Sequence, residues 1–109
     1  MNDKREYPRV LMPKTVHVIN QMTGEEFAQV VNLSENGLLL VGRQAMEVGA
    51  IFQLELVITE LGFKAPIGAE CVWAEPQKTN LIFGGFRIID VAEGDLQQLQ
   101  SLILQSVTD

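Results

Sequence analysis

The sequence predicts an all-β protein, a small antiparallel β-barrel with one C-terminal helix docked on it. Two observations carry that prediction. Six short runs rich in β-branched and other apolar residues recur at spacings of about a dozen residues, each parted from the next by turn residues. After Asp90 the apolar period changes from that of a strand to that of a helix. At 109 residues the chain is a single domain. A domain of this size buries roughly 60–70% of its unfolded surface and needs no staples.

Residues 1–14 read as an irregular, flexible arm, because Pro8 and Pro13 exclude regular structure and bias Tyr7 and Met12 to extended conformations. The barrel and its helix then occupy 15–109. Thr15 to Ile19 is the first strand, with Val16, Val18 and Ile19 as its apolar members, and Asn20 to Gly24 supplies a turn. Phe27 to Val31 is the second and runs directly into Asn32. Leu38 to Val41 is wholly apolar and reads as buried on both faces. Gly42 and Gly49 bracket a loop.

From Ile51 to Ile58, apolar Ile51, Phe52, Leu54, Leu56 and Ile58 surround Gln53 and Glu55, the pattern of a half-buried strand. Gly62 turns the chain into Phe63 to Trp73. There Ile67, Ala69, Cys71 and Trp73 share one face by period two, Glu70 lies on the other, and Pro76 ends the segment. Asn80 to Ile89 is the last strand, and its double glycine, Gly84-Gly85, predicts a bulge or bend. Beyond it Leu96, Leu99, Leu102, Ile103 and Val107 recur at near-helical spacing, with glutamines on the polar side and Asp95 in the first turn.

Composition narrows the function. The net charge of −6 argues against a general DNA or RNA binder, which needs a basic face to displace counterions. The charge is unevenly spread: residues 1–14 hold four cations and two carboxylates, net +2, and the remaining four cations and twelve carboxylates leave −8 on the body. A basic end on an acidic body suits a compact anion better than a polyanion, and a frayed, solvated terminus is the other reading of such an end. No apolar run is long enough for membrane insertion, and no leader stands at the start, so the expected setting is cytoplasmic. Cys71 is the only cysteine, which excludes an internal disulfide and reads as a small buried hydrophobe. His17 is the only histidine, lies between Val16 and Val18, and has no nucleophile partner at motif level. Metal-ligand spacings are absent too, so the chain is not expected to be an enzyme.

The most informative stretch is Asn32-Leu33-Ser34-Glu35-Asn36-Gly37. Side chains two apart on an extended chain point the same way, so Asn32 and Ser34 can act on one ligand, and Gly37 permits a bend or a close backbone approach. The same residues also serve an ordinary hairpin connection. Upstream, Arg5 and Arg9 stand four apart on the arm.

Arg5 and Arg9, followed after a strand pair by Asn32, Ser34 and Gly37, match the two halves of the PilZ-domain signature, Arg-x-x-x-Arg and Asp/Asn-x-Ser-x-x-Gly. The chain resembles that bacterial family along nearly its whole length. Leu38-Leu39, Ala69 to Trp73 and Gly85-Phe86-Arg87-Ile88 support the resemblance. It implies a six-stranded antiparallel split barrel that binds cyclic di-GMP, a second messenger of two guanines and two phosphates, as ligand and without a cofactor. The planar forks of Arg5 and Arg9 suit phosphate, the guanine O6/N7 edge and stacking on the base. Asn32 takes the position whose side-chain oxygen accepts from guanine N–H groups, and Ser34 that of a hydroxyl bonding phosphate or base. Asparagine in place of aspartate removes a charge, weakening that hydrogen bond while sparing repulsion with the phosphates.

Two further positions follow from the same resemblance. Lys4 precedes Arg5 where a basic residue accompanies two stacked ligand molecules in some members, so the stoichiometry stays at one or two. Trp73 matches a position that in some members lays a ring on guanine, and its other reading is core. Arg87 belongs to the closing strand and reads as structural. The implied mechanism is ordering of the arm against the barrel, which changes the surface shown to an unnamed downstream protein. Family analogies in motility, adhesion and polysaccharide export do not choose among themselves. The alternative is a ligand-independent PilZ-type adaptor acting through protein contacts. An oligonucleotide-binding barrel would need cations and exposed aromatics along a groove, which six aromatics on an acidic body do not provide.

Overall fold

The computed structural model describes residues 15–33, 37–95, 97–98 and 101. Six strands, β1 (His17–Asn20), β2 (Glu26–Leu33), β3 (Gly37–Gly42), β4 (Ile51–Ile58), β5 (Phe63–Pro76) and β6 (Ile82–Val91), make up nearly all of the regular structure. They close into a barrel in the order β1-β2-β3-β6-β5-β4, with β4 returning to β1, and every pairing is antiparallel. Closure leaves the sheet no lateral edge. Residues 93–95, 97–98 and 101 are helical, the short C-terminal helix that the change of period predicts. Of its predicted apolar face, Leu96, Leu99, Leu102, Ile103 and Val107 lie outside the described residues.

The turns follow local chemistry. Between β1 and β2 the Met22 N–H donates to Asn20 Oδ1 (2.8 Å) and the Gly24 N–H to the Asn20 carbonyl (2.7 Å). Gly24 has φ = 79°, which a Cβ would oppose. Between β4 and β5 a 3₁₀ turn, Thr59–Leu61, is closed by left-handed Gly62. In the β5–β6 hairpin Asn80 itself takes φ = 67°, so the last strand starts at Ile82, two residues later than its composition indicates.

The core is continuous and apolar. Val18, Leu40, Leu54, Leu56, Ile58 and Cys71 are fully enclosed, and no polar side chain is buried among the described residues. Phe27, Phe52 and Phe86 form an aromatic trio with centroids 5.1, 5.7 and 6.2 Å apart, the Phe27–Phe86 pair edge to face at 90°. Such tilted contacts match positive ring edges to negative faces.

Three strand expectations need correction. The apolar run Leu38 to Val41 is not buried on both faces: Leu38 and Leu40 point inward, while Leu39 and Val41 are only half-buried on the outside. Trp73 does not share the inward face of Ile67, Ala69 and Cys71. A bulge between Cys71 and Trp73, where β6 continues from Phe86 to Gly85 without a break, leaves Val72 unpaired and turns the indole outward, 44% exposed. Gly84 and Gly85 therefore lie opposite a bulge and form none themselves. Their missing Cβ atoms serve close approach instead: a Cβ on Gly84 would lie 2.5 Å from Met46 Sδ, and one on Gly85 would enter the Trp73 indole.

Candidate functional site

Strand β2 must keep Ala28, Val30 and Leu33 toward the interior, and strict alternation cannot do so, because Val30 and Leu33 are an odd number of residues apart. A bulge at Val31 resolves the conflict: Val30 pairs with Leu40 and Asn32 with Leu39, so one residue of β2 has no counterpart on β3. Leu33 and its partner Leu38 face the core, and Asn32 with Leu39 face out. The next pairings continue the row across the sheet, Leu39 with Gly85 on β6 and Gly85 with Trp73 on β5. One transverse line over four strands thus reads Asn32, Leu39, Gly85, Trp73: an amide, an aliphatic floor, a bare glycine and an indole.

Those four residues, with Gly37, Leu38, Val72 and Phe86, line an open groove of about 350 Å³. The two bulges, at Val31 and at Val72, deliver its two ends to the outer surface. Two rows further along, Gly37 pairs with Arg87, and Arg87 with Glu70. The Arg87 guanidinium donates to Glu70 Oε1 at 2.5 Å, and its side chain is 62% exposed. The guanidinium stands beside the groove but is held by a carboxylate.

Beneath the floor Cys71 is buried, its Sγ 3.4 Å from the Trp73 carbonyl oxygen and 3.9 Å from that of Met46. Burial pushes its thiol above the ordinary value, and a hydrogen bond with the Trp73 backbone offsets part of the rise. A protonated thiol in this position is packing material and not a nucleophile.

Of the sequence-derived binding residues, Asn32 and Gly37 meet in the groove and Trp73 joins them. Lys4, Arg5, Arg9 and Ser34 lie outside the described residues. Leu39, Val72 and Gly85 are groove residues that the resemblance includes without assigning them to the ligand. Leu39 and Gly85 could have been found only by knowing the register that sets them level with Asn32. A larger groove of about 480 Å³ runs along Glu26 to Gln29, Val41 to Gln44 and Leu81, and holds none of the motif residues. Its carboxylate, Glu26, is already bonded to His17 Nδ1 at 2.7 Å. Among the described residues no group of three His, Cys, Asp or Glu side chains could hold a metal, and no helix is long and apolar enough to cross a membrane.

The sequence matches the PilZ domain family over residues 3–105. No curated protein matches it in sequence. Among solved structures the chain is similar to the Bacillus subtilis inhibitor of motility (MotI/DgrA), at 18% identity and a TM-score of 0.67 over 95% of this chain and 51% of that one. It is similar also to MrkH of K. pneumonia in its apo state, at 11% identity and a TM-score of 0.73 over 98% of this chain and 53% of that one. A further MrkH structure, described as a c-di-GMP dependence transcription regulatory factor, aligns at 12% identity and a TM-score of 0.72 over 97% of this chain and 52% of that one. The likeness is one of fold, and the chain spans about half the length of these neighbours.

Proposed function

The chain belongs to the PilZ domain family, and from that premise we propose that it is a receptor for cyclic di-GMP that holds the messenger between the arginines of its N-terminal arm and the groove of Asn32, Gly37 and Trp73. The observation that carries the reading is convergence. Three residues from three strands, selected by motif and resemblance, line one outward groove on an otherwise closed barrel. Their chemistry is complementary to a guanine nucleotide: the Asn32 amide for the base edge, the indole for its face, and a backbone approach at Gly37.

Chain connectivity supports delivery of the arginines. The Val30 N–H donates to the Val16 carbonyl at 3.0 Å and β1 runs antiparallel to β2, so Val16 lies level with Val30, two residues from Asn32. Arg9 is seven residues upstream and Arg5 eleven. At roughly 3.5 Å per extended residue these separations allow reaches of about 25 and 40 Å, ample to bring both guanidinium groups over the groove. The ligand's phosphates would then be clamped by cations from residues 1–14, while the −8 body repels longer polyanions. Binding orders the arm at an entropic cost the contacts must exceed, and the pinned arm presents a new surface to a downstream protein. The family is one of binding and regulatory modules, and the role is that of an effector and not of a catalyst.

Isothermal titration calorimetry with cyclic di-GMP tests the proposal, with Arg5→Ala and Asn32→Ala proteins alongside and GMP as control. Saturable binding near micromolar, weakened about tenfold or more by each substitution, is the expected result. The stoichiometry decides whether Lys4 accompanies one ligand or two. No heat and no thermal shift at high ligand concentration would overturn the receptor reading and leave an adaptor acting through protein contacts.

A further inference from the structure

The two adjacent glycines of β6 do different work. Gly84 faces the core, where a Cβ would meet Met46 Sδ at 2.5 Å and Phe86 Cε1 at 2.9 Å. Gly85 faces the groove, and the three atoms nearest to a Cβ there all belong to one side chain. The Trp73 Nε1, Cε2 and Cδ1 atoms would all clash with it, Cε2 at 2.6 Å and Cδ1 at 2.8 Å. The indole therefore lies down on the bare backbone of Gly85 and fills the space a side chain would take. It remains 44% exposed, so one face is seated on the strand and the rest is turned to the groove.

We infer that Gly85 is a positioning residue for ligand binding: its missing side chain seats the Trp73 indole flat in the groove floor as a stacking platform for a planar base. The inference rests on the proposed nucleotide reading, and it adds which residue sets the height and tilt of the ring. Two features support it. Trp73 is next to a bulge, so its backbone is not held by a regular ladder and its ring orientation depends on what it packs against. The floor on the other side of Gly85 is Leu39, an aliphatic side chain that offers a base contact area without competing hydrogen bonds. With a methyl at position 85 the ring must rise into the groove of about 350 Å³. That ring is the far end of a rotatable side chain on the outer surface, so it can move and the barrel still forms.

Trp73 is the only tryptophan, which makes the seat directly observable. The experiment compares the wild-type protein with Gly85→Ala by acrylamide quenching of tryptophan emission without ligand, and compares both with Trp73→Leu and the double variant by calorimetry with cyclic di-GMP. Acrylamide is chosen because the acidic body would repel iodide. Gly85→Ala is expected to keep the far-UV spectrum, to raise the quenching constant and to weaken binding about tenfold, the scale of one lost base–aromatic stack. Trp73→Leu is expected to weaken binding by a similar factor, and the double variant by no more than Trp73→Leu alone, because both substitutions remove one platform. Unchanged quenching in Gly85→Ala would overturn the seat. Unchanged affinity in a Gly85→Ala protein whose wild type binds would overturn the platform while leaving the receptor intact. A wild type that gives no heat would overturn the receptor reading and the platform with it, while the quenching comparison would still decide the seat.

Discussion

Truncating Phe86 to alanine should bring the barrel close to the limit of its stability. Phe86 is 3% exposed and touches both other rings of the aromatic trio, 5.7 Å from Phe52 and 6.2 Å from Phe27. Its cross-strand partners are Leu38 and Cys71, both buried. A closed barrel gives such a position little room to collapse, so the loss combines transfer of the ring with the cavity it leaves, about 3–5 kcal/mol. A domain of this length has on the order of 5–15 kcal/mol in total. The assay is urea unfolding followed at once by Trp73 emission and far-UV circular dichroism, whose coincidence tests two-state behaviour. Phe86→Ala should lower the midpoint with an unchanged slope, and lower the melting temperature by roughly 10 °C or more. A Phe27→Leu/Phe86→Leu cycle should return a coupling of about 0.5–1.5 kcal/mol for the edge-to-face pair. A truncation cost under about 1 kcal/mol would refute the placement of Phe86 at the centre of the core.

Three further outcomes follow. Gly42→Ala should cost about 1–3 kcal/mol by thermal melting, since its Cβ would stand 2.5 Å from the Phe27 carbonyl oxygen, which is main chain and cannot swing aside; no measurable loss would contradict the close approach of β2 and β3. The Cys71 thiol is raised above 9.0 by burial, so the folded state holds that proton after the unfolded chain has released it. The stability linked to it is complete below the unfolded thiol's pKa and is lost as pH rises from there through the folded value, and urea midpoints from pH 7.5 to 10 should fall more steeply in wild type than in Cys71→Ala. Glu70→Gln should change stability by less than about 1 kcal/mol, because the Arg87 partner is 62% exposed and solvent screens the pair; a loss above 2 kcal/mol would make the pair structural.

Much of the barrel was legible in the chain. Strand β4 shows why: Leu54, Leu56 and Ile58 alternate with Gln53 and Glu55, and the structure buries the three apolar residues while leaving Gln53 exposed and Glu55 half-buried. Asn20 to Gly24 and Gly62 marked turns because their backbones need side-chain acceptors or positive φ, which are local requirements. The groove was legible only in part. Asn32 and Gly37 are carried by a motif whose spacing survives translation into any fold. Trp73 was assigned by alternation to the wrong face, and Leu39 and Gly85 carried no signal that they belonged to a site.

What the sequence by itself determined was periodicity and punctuation: six runs that must be strands, one change of period that must be a helix, and the residues that break the chain between them. Those are properties of neighbours along the chain, where φ/ψ preference and side-chain alternation act. What only the tertiary structure decided was facing. Alternation is a count that restarts at every bulge, and whether a residue is skipped at Val31 or at Val72 depends on the strand opposite, Leu39-Leu40 in one case and Gly85-Phe86 in the other. Two skipped residues, settled by closure of the ring, turn Asn32 and Trp73 to the same outer groove.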